Sequence, residues 1–465
     1  MFQHIFVIFH NHCSTRMHIV IIGNGISGIT AARHIRKQSD FRITVISKES
    51  EYFFSRTALM YVYMGHMKFE HTKPYEDWFW KKNRIELLFD EVKSINKAQQ
   101  TLLLTSGGTV SFDLLIIASG SKPNKFGWPG QDIIGVQGLY SKQDLENMQQ
   151  LTSDAKHAVI VGGGLIGVEM AEMLASRNIK VTFLIREKNF WDGVLPKEEA
   201  MMIGSHIRDH HIDLRTETNL VEICPDTNGK VKSITTDKGD IVECQFVGLT
   251  VGVSPVIDFL KDSGIECNRG VLVNEYLETN VTGIFAIGDC AEFRTPLPNR
   301  KPVEQVWYTG RMMGETIAKT ICNKRSVYNP GIWFNAAKFF DIEYQTYGWV
   351  FPNLKEGEQA FYWQHPVEKI SLRIHFNKQS RAVNGINVFG IRLRHESCDK
   401  WIHEGRSIEF VLEHLPEANF DPEYYRQYES QIIQKFNREN SGANLSLKSK
   451  RGLWQKKIRI MKSKF

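Results

Sequence analysis

Short apolar runs closed by glycine or a polar pair alternate with stretches of helical period through the first two thirds of the chain. Residues 19–22, 42–46, 114–117, 157–161 and 181–185 predict buried strands. Residues 26–36 and 169–177 predict helices, 73–91 a helix then a strand, and 102–104 with 109–112 a hairpin around Gly107 and Gly108. Residues 123–154 read as a Pro/Gly-bearing crossover and a polar helix. A strand from Ile284 ends in Gly288 and Asp289, with a strand and turn before it and a helix over 303–321 after it. Near residue 331 the texture changes. Runs at 344–350, 359–362, 369–376 and 382–389 predict antiparallel strands, and 403–410 and 424–436 helices.

The loops between strand and helix carry the candidate chemistry. Gly23, Gly25 and Gly28 have G-x-G-x-x-G spacing between a strand and a helix. The first glycine permits a sharp turn, the second lets backbone approach a pyrophosphate, and the third lets helix and strand pack closely. The helix N-terminus adds unpaired N–H groups for phosphate. Gly162, Gly164 and Gly167 repeat the device 139 residues later. That offset is too long for two halves of one dinucleotide fold, so the pair predicts two nucleotide sites. Ser47 and Glu49 stand where a ribose diol is met after the first loop. After the second, Arg186 suits a 2′-phosphate and Glu187 a diol, a balance that leans to NADPH and leaves the donor as NAD(P)H.

Composition adds limits. The chain has 465 residues, 24% charged and 42% apolar, and no apolar run long enough to span a membrane. Its net charge of +6 comes from residues 441–465, which hold eight basic residues and no acid; subtracting those eight leaves −2. The body therefore gives no sign of nucleic-acid binding. Trp454, Ile458 and Met461 share one helical face in that tail, which suits an anionic membrane surface or, equally, a solvated end. The seven cysteines are scattered without C-x-x-C, which argues against structural zinc and a disulfide scaffold and fits a reducing, cytoplasmic setting. His206, His210 and His211 lie in a polar helical stretch with no third converging ligand, so no metal is expected. Met17, directly before the first strand, is the expected natural start; the alternative is that residues 1–16 form a short disordered arm.

Together the first glycine motif, FFSRTAL at 53–59, LLIIASG at 114–120, GGGLIGVEMAE at 162–172, LTVGVSP at 249–255 and TNVTGIFAIGDCAE at 279–292 resemble the flavoprotein disulfide-reductase superfamily. Within it the chain is similar to the reductases of rubredoxin and oxygenase ferredoxins and to apoptosis-inducing factor. The fold implied is α/β: an FAD domain from 17–125 and 281–330, an NAD(P)H domain over 126–280, and a C-terminal α+β domain over 331–440 before the tail. The resemblance implies that Gly23, Gly25, Ile26, Ser27 and Gly28 hold the FAD pyrophosphate and that Ser47 or Glu49 meets its ribose. It places Ser55, Arg56, Ala118, Ser119, Gly120 and Gly288 around the same cofactor, and Asp289 on its ribityl arm, and it counts Gly252, in the NAD(P)H domain, among the cofactor-binding residues. Gly162, Gly164, Leu165, Ile166 and Gly167 cradle the nicotinamide nucleotide, with Arg186 and Glu187 at its ribose. Trp307 matches an aromatic beside the flavin, and Glu169 an acid near it that orients and sets local charge; the bland reading of Glu169 is a first-turn carboxylate at a helix N-terminus.

Departures carry information too. The 53–67 region lacks the redox cysteines of the disulfide-reducing members, and Tyr61 stands where the ferredoxin-reductase branch tends to place a lysine. The reading is an NAD(P)H-dependent FAD oxidoreductase that passes electrons to a small redox protein or other diffusible acceptor. Two rivals stand beside it. One is a membrane-peripheral NAD(P)H:quinone oxidoreductase; the other is a flavoprotein whose redox state controls an interaction. A homodimer contact through the last domain is also implied.

Overall fold

The computed structural model describes residues 17–448 apart from Pro422 and Tyr425. The expectations placed on residues 1–16 and on the tail beyond Lys448 lie outside the described residues. The chain divides into two compact units. The first comprises residues up to 126 with 137–154 and 251–330, and the second 127–136, 155–250 and the chain from 331 onward.

In the first unit a five-stranded sheet runs in the order Ile284–Ala286, Leu114–Ile117, His18–Ile22, Arg42–Ser47, Ile85–Phe89, every pair parallel. Both faces are covered, so its central strand buries Ile19, Val20 and Ile21 completely. That is why the sequence shows a continuous apolar run there and not an alternating one. The helix Ile26–Arg36 packs against the helix Trp307–Ile321. Small residues permit the approach: a Cβ on Gly314 would stand 2.6 Å from the Ser27 carbonyl oxygen. Val92–Asn96, Thr101–Leu104 and Thr109–Ser111 form an antiparallel meander beside this core.

The second unit repeats the parallel device. Asp213–Arg215, Lys180–Leu184, His157–Val161 and Phe246–Leu249 lie in that order in its first sheet. A five-stranded antiparallel sheet follows in the order Phe334–Phe339, Ile342–Gly348, Val383–Phe389, Ser371–Asn377, Glu358–Gln364. The helices His395–His403, Ile408–Glu413 and Glu429–Glu439 close over it around Leu372, Ile386, Val411 and Phe436. Polar contacts join this sheet to the nucleotide fold of the same unit. Lys338 reaches Glu172 at 3.1 Å, and Arg373 reaches Glu198 at 2.7 Å and the fully buried Glu199 at 3.4 Å. The architecture is α/β with two Rossmann-like parallel sheets and a C-terminal mixed α+β portion.

Several element boundaries differ from expectation. The helix expected from 303 begins at Trp307, because Val306 is extended (φ −132°) and Glu304 is turned inward to a buried pair with Arg300 at 2.9 Å. The helix expected over 403–410 is two helices. Gly405 breaks it at φ +62°, and the Ser407 hydroxyl then caps the second by accepting from the Phe410 N–H. The last helix is Glu429–Glu439, shifted from the expected 424–436. The strand Phe334–Phe339 and the sheet Leu220–Pro225, Val231–Thr236, Ile241–Glu243 had no counterpart in the sequence reading.

Candidate functional site

The first glycine loop is built by steric necessity. Gly23 turns at φ +109°, and a Cβ there would fall 2.1 Å from the Ala118 carbonyl oxygen at the end of the neighbouring strand. A Cβ on Gly28 would fall 2.1 Å from the Gly23 carbonyl. Gly25 differs: its backbone is ordinary extended (φ −71°, ψ −177°), and no atom lies within 4 Å of an added Cβ. A glycine that the fold itself does not require, at the mouth of a helix, is what close approach of a ligand demands. The helix it caps has no side-chain cap and no acid in its first turn. Its orphan N–H groups and positive dipole end therefore remain available to a phosphate. Ser27 is buried, its hydroxyl directed at Gly288 and Gly310, where a Cβ would come within 2.3 and 2.6 Å of it. Ile26 opens the helix beside it, partly buried.

Around this loop the first unit gathers a charged chain. The Arg56 guanidinium grips the Glu49 carboxylate through two bonds of 2.7 and 2.6 Å, and it also donates to the Tyr140 carbonyl while lying 4.3 Å over the Tyr140 ring. Glu49 accepts a further 3.0 Å bond from the Lys142 N–H. Burial works against the charge on Arg56, but the hydrogen bonds and charge of Glu49 keep it protonated. The Tyr140 hydroxyl donates to Asp289 at 3.2 Å and accepts from the Ser121 N–H at 3.0 Å. Burial raises the Asp289 carboxyl above its ordinary value, with Tyr140 and Arg56 pulling the other way. Ser47 donates to Asn24 at 2.9 Å, whose amide donates to the Ser50 carbonyl at 2.8 Å, so Ser47 and Glu49 stand on one loop but with different partners. Gly120 turns at φ +72° under the Tyr140 hydroxyl, and Ser119 donates to the Val256 carbonyl at 2.7 Å. Ser55 lies beside the Thr57 hydroxyl at 3.2 Å, and Gly252 turns at φ +93° opposite Asn124. Trp307 begins its helix half-buried, edge-on to Tyr308. Tyr61 sits partly exposed on the short helix Leu59–Tyr63 and stacks on His66.

In the second unit the same logic recurs. Gly162 turns at φ +113°, and a Cβ on Gly167 would meet the Gly162 carbonyl at 2.5 Å and the Thr250 hydroxyl at 2.8 Å. Gly164, extended at φ −104° and ψ −177°, would again meet nothing within 4 Å. The helix Leu165–Ser176, with Leu165 and Ile166 in its first turn, has neither side-chain cap nor first-turn acid. Glu169 is thus its fifth residue, one position beyond the first turn where the plainer reading expects a carboxylate. Burial first, then the neighbouring charge of Glu172, push the Glu169 carboxyl up to about 7. Arg186 donates to Glu187 at 2.8 Å, and the other Glu187 oxygen would stand 3.7 Å from a Cβ on Gly163. The acid therefore overlooks the loop, and the exposed guanidinium is held beside it.

The first unit thus gathers the residues expected at one nucleotide, and the second those expected at the other. The donor set fits a dinucleotide at each loop: an open glycine, uncapped N–H groups and a polar flank. Tyr140, Asn24 and Gln305, which donates to the Ser121 hydroxyl at 2.8 Å, were missed by sequence reasoning. Only Tyr140 left a signal, since it directly precedes the Ser141–Asp144 capping box that opens the helix Lys142–Leu151.

Comparison with known proteins places the chain by family and by fold. The pyridine nucleotide-disulphide oxidoreductase family matches residues 17–314. The chain is 28% identical over 280 residues to the NAD(P)H nitrite reductase of Bacillus subtilis, covering 59% of this chain but 34% of that protein. It thus spans about a third of the length of that relative. It is 29% identical over 276 residues to the NADH-rubredoxin oxidoreductase of Clostridium acetobutylicum, covering 59% of this chain and 68% of that one. In fold it is similar to the ferredoxin reductase for the CYP199A2 system of Rhodopseudomonas palustris, with a TM-score of 0.75, 21% identity, and coverage of 90% and 99% of the two chains.

Proposed function

The chain belongs to the pyridine nucleotide-disulphide oxidoreductase family, and from that premise we propose that it is an FAD-dependent oxidoreductase that takes hydride from NAD(P)H and passes electrons to a small redox protein of the ferredoxin or rubredoxin kind. The observation that carries this reading is the pair of open glycines, Gly25 and Gly164, each at the mouth of an uncapped helix in its own parallel sheet. The bound pair supplies the chemistry, hydride passing from a reduced nicotinamide to the flavin and electrons leaving to the acceptor. The acceptor class is supported by the name of the clostridial relative. Among the described residues, Cys224, Cys244, Cys267, Cys290, Cys322 and Cys398 are free thiols, which suits a route to the acceptor that needs no protein dithiol and a cytoplasmic setting. No helix among the described residues is long and apolar enough to cross a membrane. Turnover with NAD(P)H and purified ferredoxin or rubredoxin tests the acceptor; turnover with quinones alone would redirect it.

The chain's own residues bind, orient and set charge. In this account the two loops fix the two pyrophosphates, Asp289 and Tyr140 hold the polar arm of the flavin nucleotide, and Glu169 sets the charge beside the nicotinamide. A carboxylate at Glu169 stabilises the positive charge that a nicotinamide ring gains on giving up hydride. With its carboxyl pushed up to about 7, Glu169 is mostly neutral at pH 6 and mostly ionised at pH 8. Flavin reduction in stopped flow is therefore expected to speed up about tenfold from pH 6 to pH 8, a change of about 1.4 kcal/mol. Glu169→Gln should remain at the slow, low-pH rate throughout. An unchanged pH profile in that variant would remove Glu169 from this role.

Coenzyme choice turns on Arg186. Its side chain is 80% exposed and ion-pairs with Glu187, so it can turn to a 2′-phosphate without leaving a buried charge behind. Arg186→Ala is expected to lower kcat/KM for NADPH by about 10- to 100-fold, the worth of a charge-assisted bond, and to change NADH by less than about twofold. An equal loss with both donors would show that Arg186 does not read the phosphate.

A further inference from the structure

In the second unit, and independent of the nucleotide reading, three potential metal ligands converge from distant parts of the chain. His206 lies in the last turn of the helix Lys197–Asp209 and His210 caps its end, so the i, i+4 spacing puts both imidazoles on one face. Asp341 comes from 131 residues beyond His210, in the tight turn between the strands Phe334–Phe339 and Ile342–Gly348. One carboxylate oxygen of Asp341 stands 2.7 Å from the His206 Nε2 and 3.2 Å from the His210 Nε2. All three ligand atoms lie within 4.8 Å of one another. This is the third converging ligand that the sequence did not reveal.

We propose that His206, His210 and Asp341 bind one divalent transition-metal ion of the zinc class, with a solvent molecule in the fourth position. Two imidazole nitrogens and one carboxylate suit zinc, cobalt or nickel, whereas magnesium and calcium call for oxygen donors. His206 is only 7% exposed, and its Nε2 stands 2.7 Å from the Asp341 carboxylate. A buried imidazole nitrogen that stands within 4.8 Å of two further donor atoms is placed as a ligand is placed. The rings are held: Phe340 stacks on His210 at 4.2 Å and meets His206 edge-on at 6.1 Å. Metal–ligand bonds of about 2.0–2.1 Å set tetrahedral ligand separations of about 3.3 Å. The 3.2 Å pair already meets this, and Asp341, three-quarters exposed, needs to retreat by about half an ångström from His206.

The surroundings permit a cation. Lys369 is the base that faces His206, and it is paired with Asp209. The ion would join a helix of the nucleotide fold to a hairpin of the antiparallel sheet, and so act as a structural staple.

The test uses the full-length holoprotein, free of any affinity tag and stripped with a chelator. Co2+ titration should give one equivalent with the visible d–d absorption of a four- or five-coordinate site, and Zn2+ in excess should raise the unfolding midpoint by about 4 °C or more. Asp341→Ala and His210→Ala change exposed or half-exposed side chains, so they should stay folded and keep their flavin absorbance. Both should lose the cobalt band and the zinc-dependent shift. Absence of binding up to about 1 mM metal in the parent protein overturns the proposal, and so does binding that survives in both variants.

Discussion

Gly25→Val is expected to leave a folded chain that has lost its FAD. The backbone at Gly25 is extended at φ −71° and ψ −177°, a region that valine prefers, and the new Cβ finds no protein atom within 4 Å. The cost to the fold is that of a poorer helix cap, about 1 kcal/mol. The cost to the ligand is larger. A branched side chain would occupy the space through which backbone approaches the pyrophosphate, and forcing methyl groups into a filled site costs about 1–3 kcal/mol before any lost phosphate bonds are counted. FAD affinity should fall about 100-fold or more. Flavin absorbance per chain after purification, read beside the unfolding midpoint of flavin-free protein, separates the two costs. Gly28→Val is the contrasting control, because its Cβ would run into the Gly23 carbonyl and disrupt the loop itself. Full flavin content in Gly25→Val would mean that this loop does not hold the cofactor.

Gly164→Val should break the other half alone. Its backbone is extended at φ −104° and ψ −177°, and its added Cβ is likewise free of protein contacts. The variant should purify with a full complement of FAD and be reduced normally by dithionite, while KM for NAD(P)H rises about 100-fold. Loss of flavin in this variant would contradict the assignment of one nucleotide to each unit. Gly167→Val offers no such separation, since Phe183 and the Thr250 hydroxyl both lie 2.8 Å from its Cβ.

These contrasts show why so much of the site could be read from the chain. A glycine demanded by positive φ or by a carbonyl within 2.5 Å of its Cβ cannot be replaced cheaply, so Gly23, Gly28, Gly162 and Gly167 write their packing into the sequence. Strands covered on both faces likewise write themselves as continuous apolar runs. What stayed hidden depends on contacts between distant residues. Tyr140 lies 149 residues from Asp289, and Asp341 lies 131 from His210, separations that no local pattern encodes. Helix ends failed for a related reason. The inward pair of Glu304 with Arg300 delays one helix, and the left-handed Gly405 splits another, against propensities that favoured continuity.

The departures from the resembling reductases also take on physical form. Tyr61 cannot offer the positive charge a lysine would bring, and the charge on Glu169 is governed within its own unit by burial and by Glu172. With the charge role proposed for Glu169, a carboxyl pushed up to about 7 is expected to make the donor half-reaction sensitive to pH over 6–8.

The most direct test of the whole account is anaerobic stopped flow of the purified protein, with NADH and NADPH as alternative donors and oxidised ferredoxin or rubredoxin mixed in afterwards. Bleaching of a bound FAD spectrum by one or both donors is expected, faster with NADPH, with recovery of that spectrum as the iron protein is reduced. A protein that cannot be loaded with FAD, or whose FAD neither nicotinamide reduces, would contradict it.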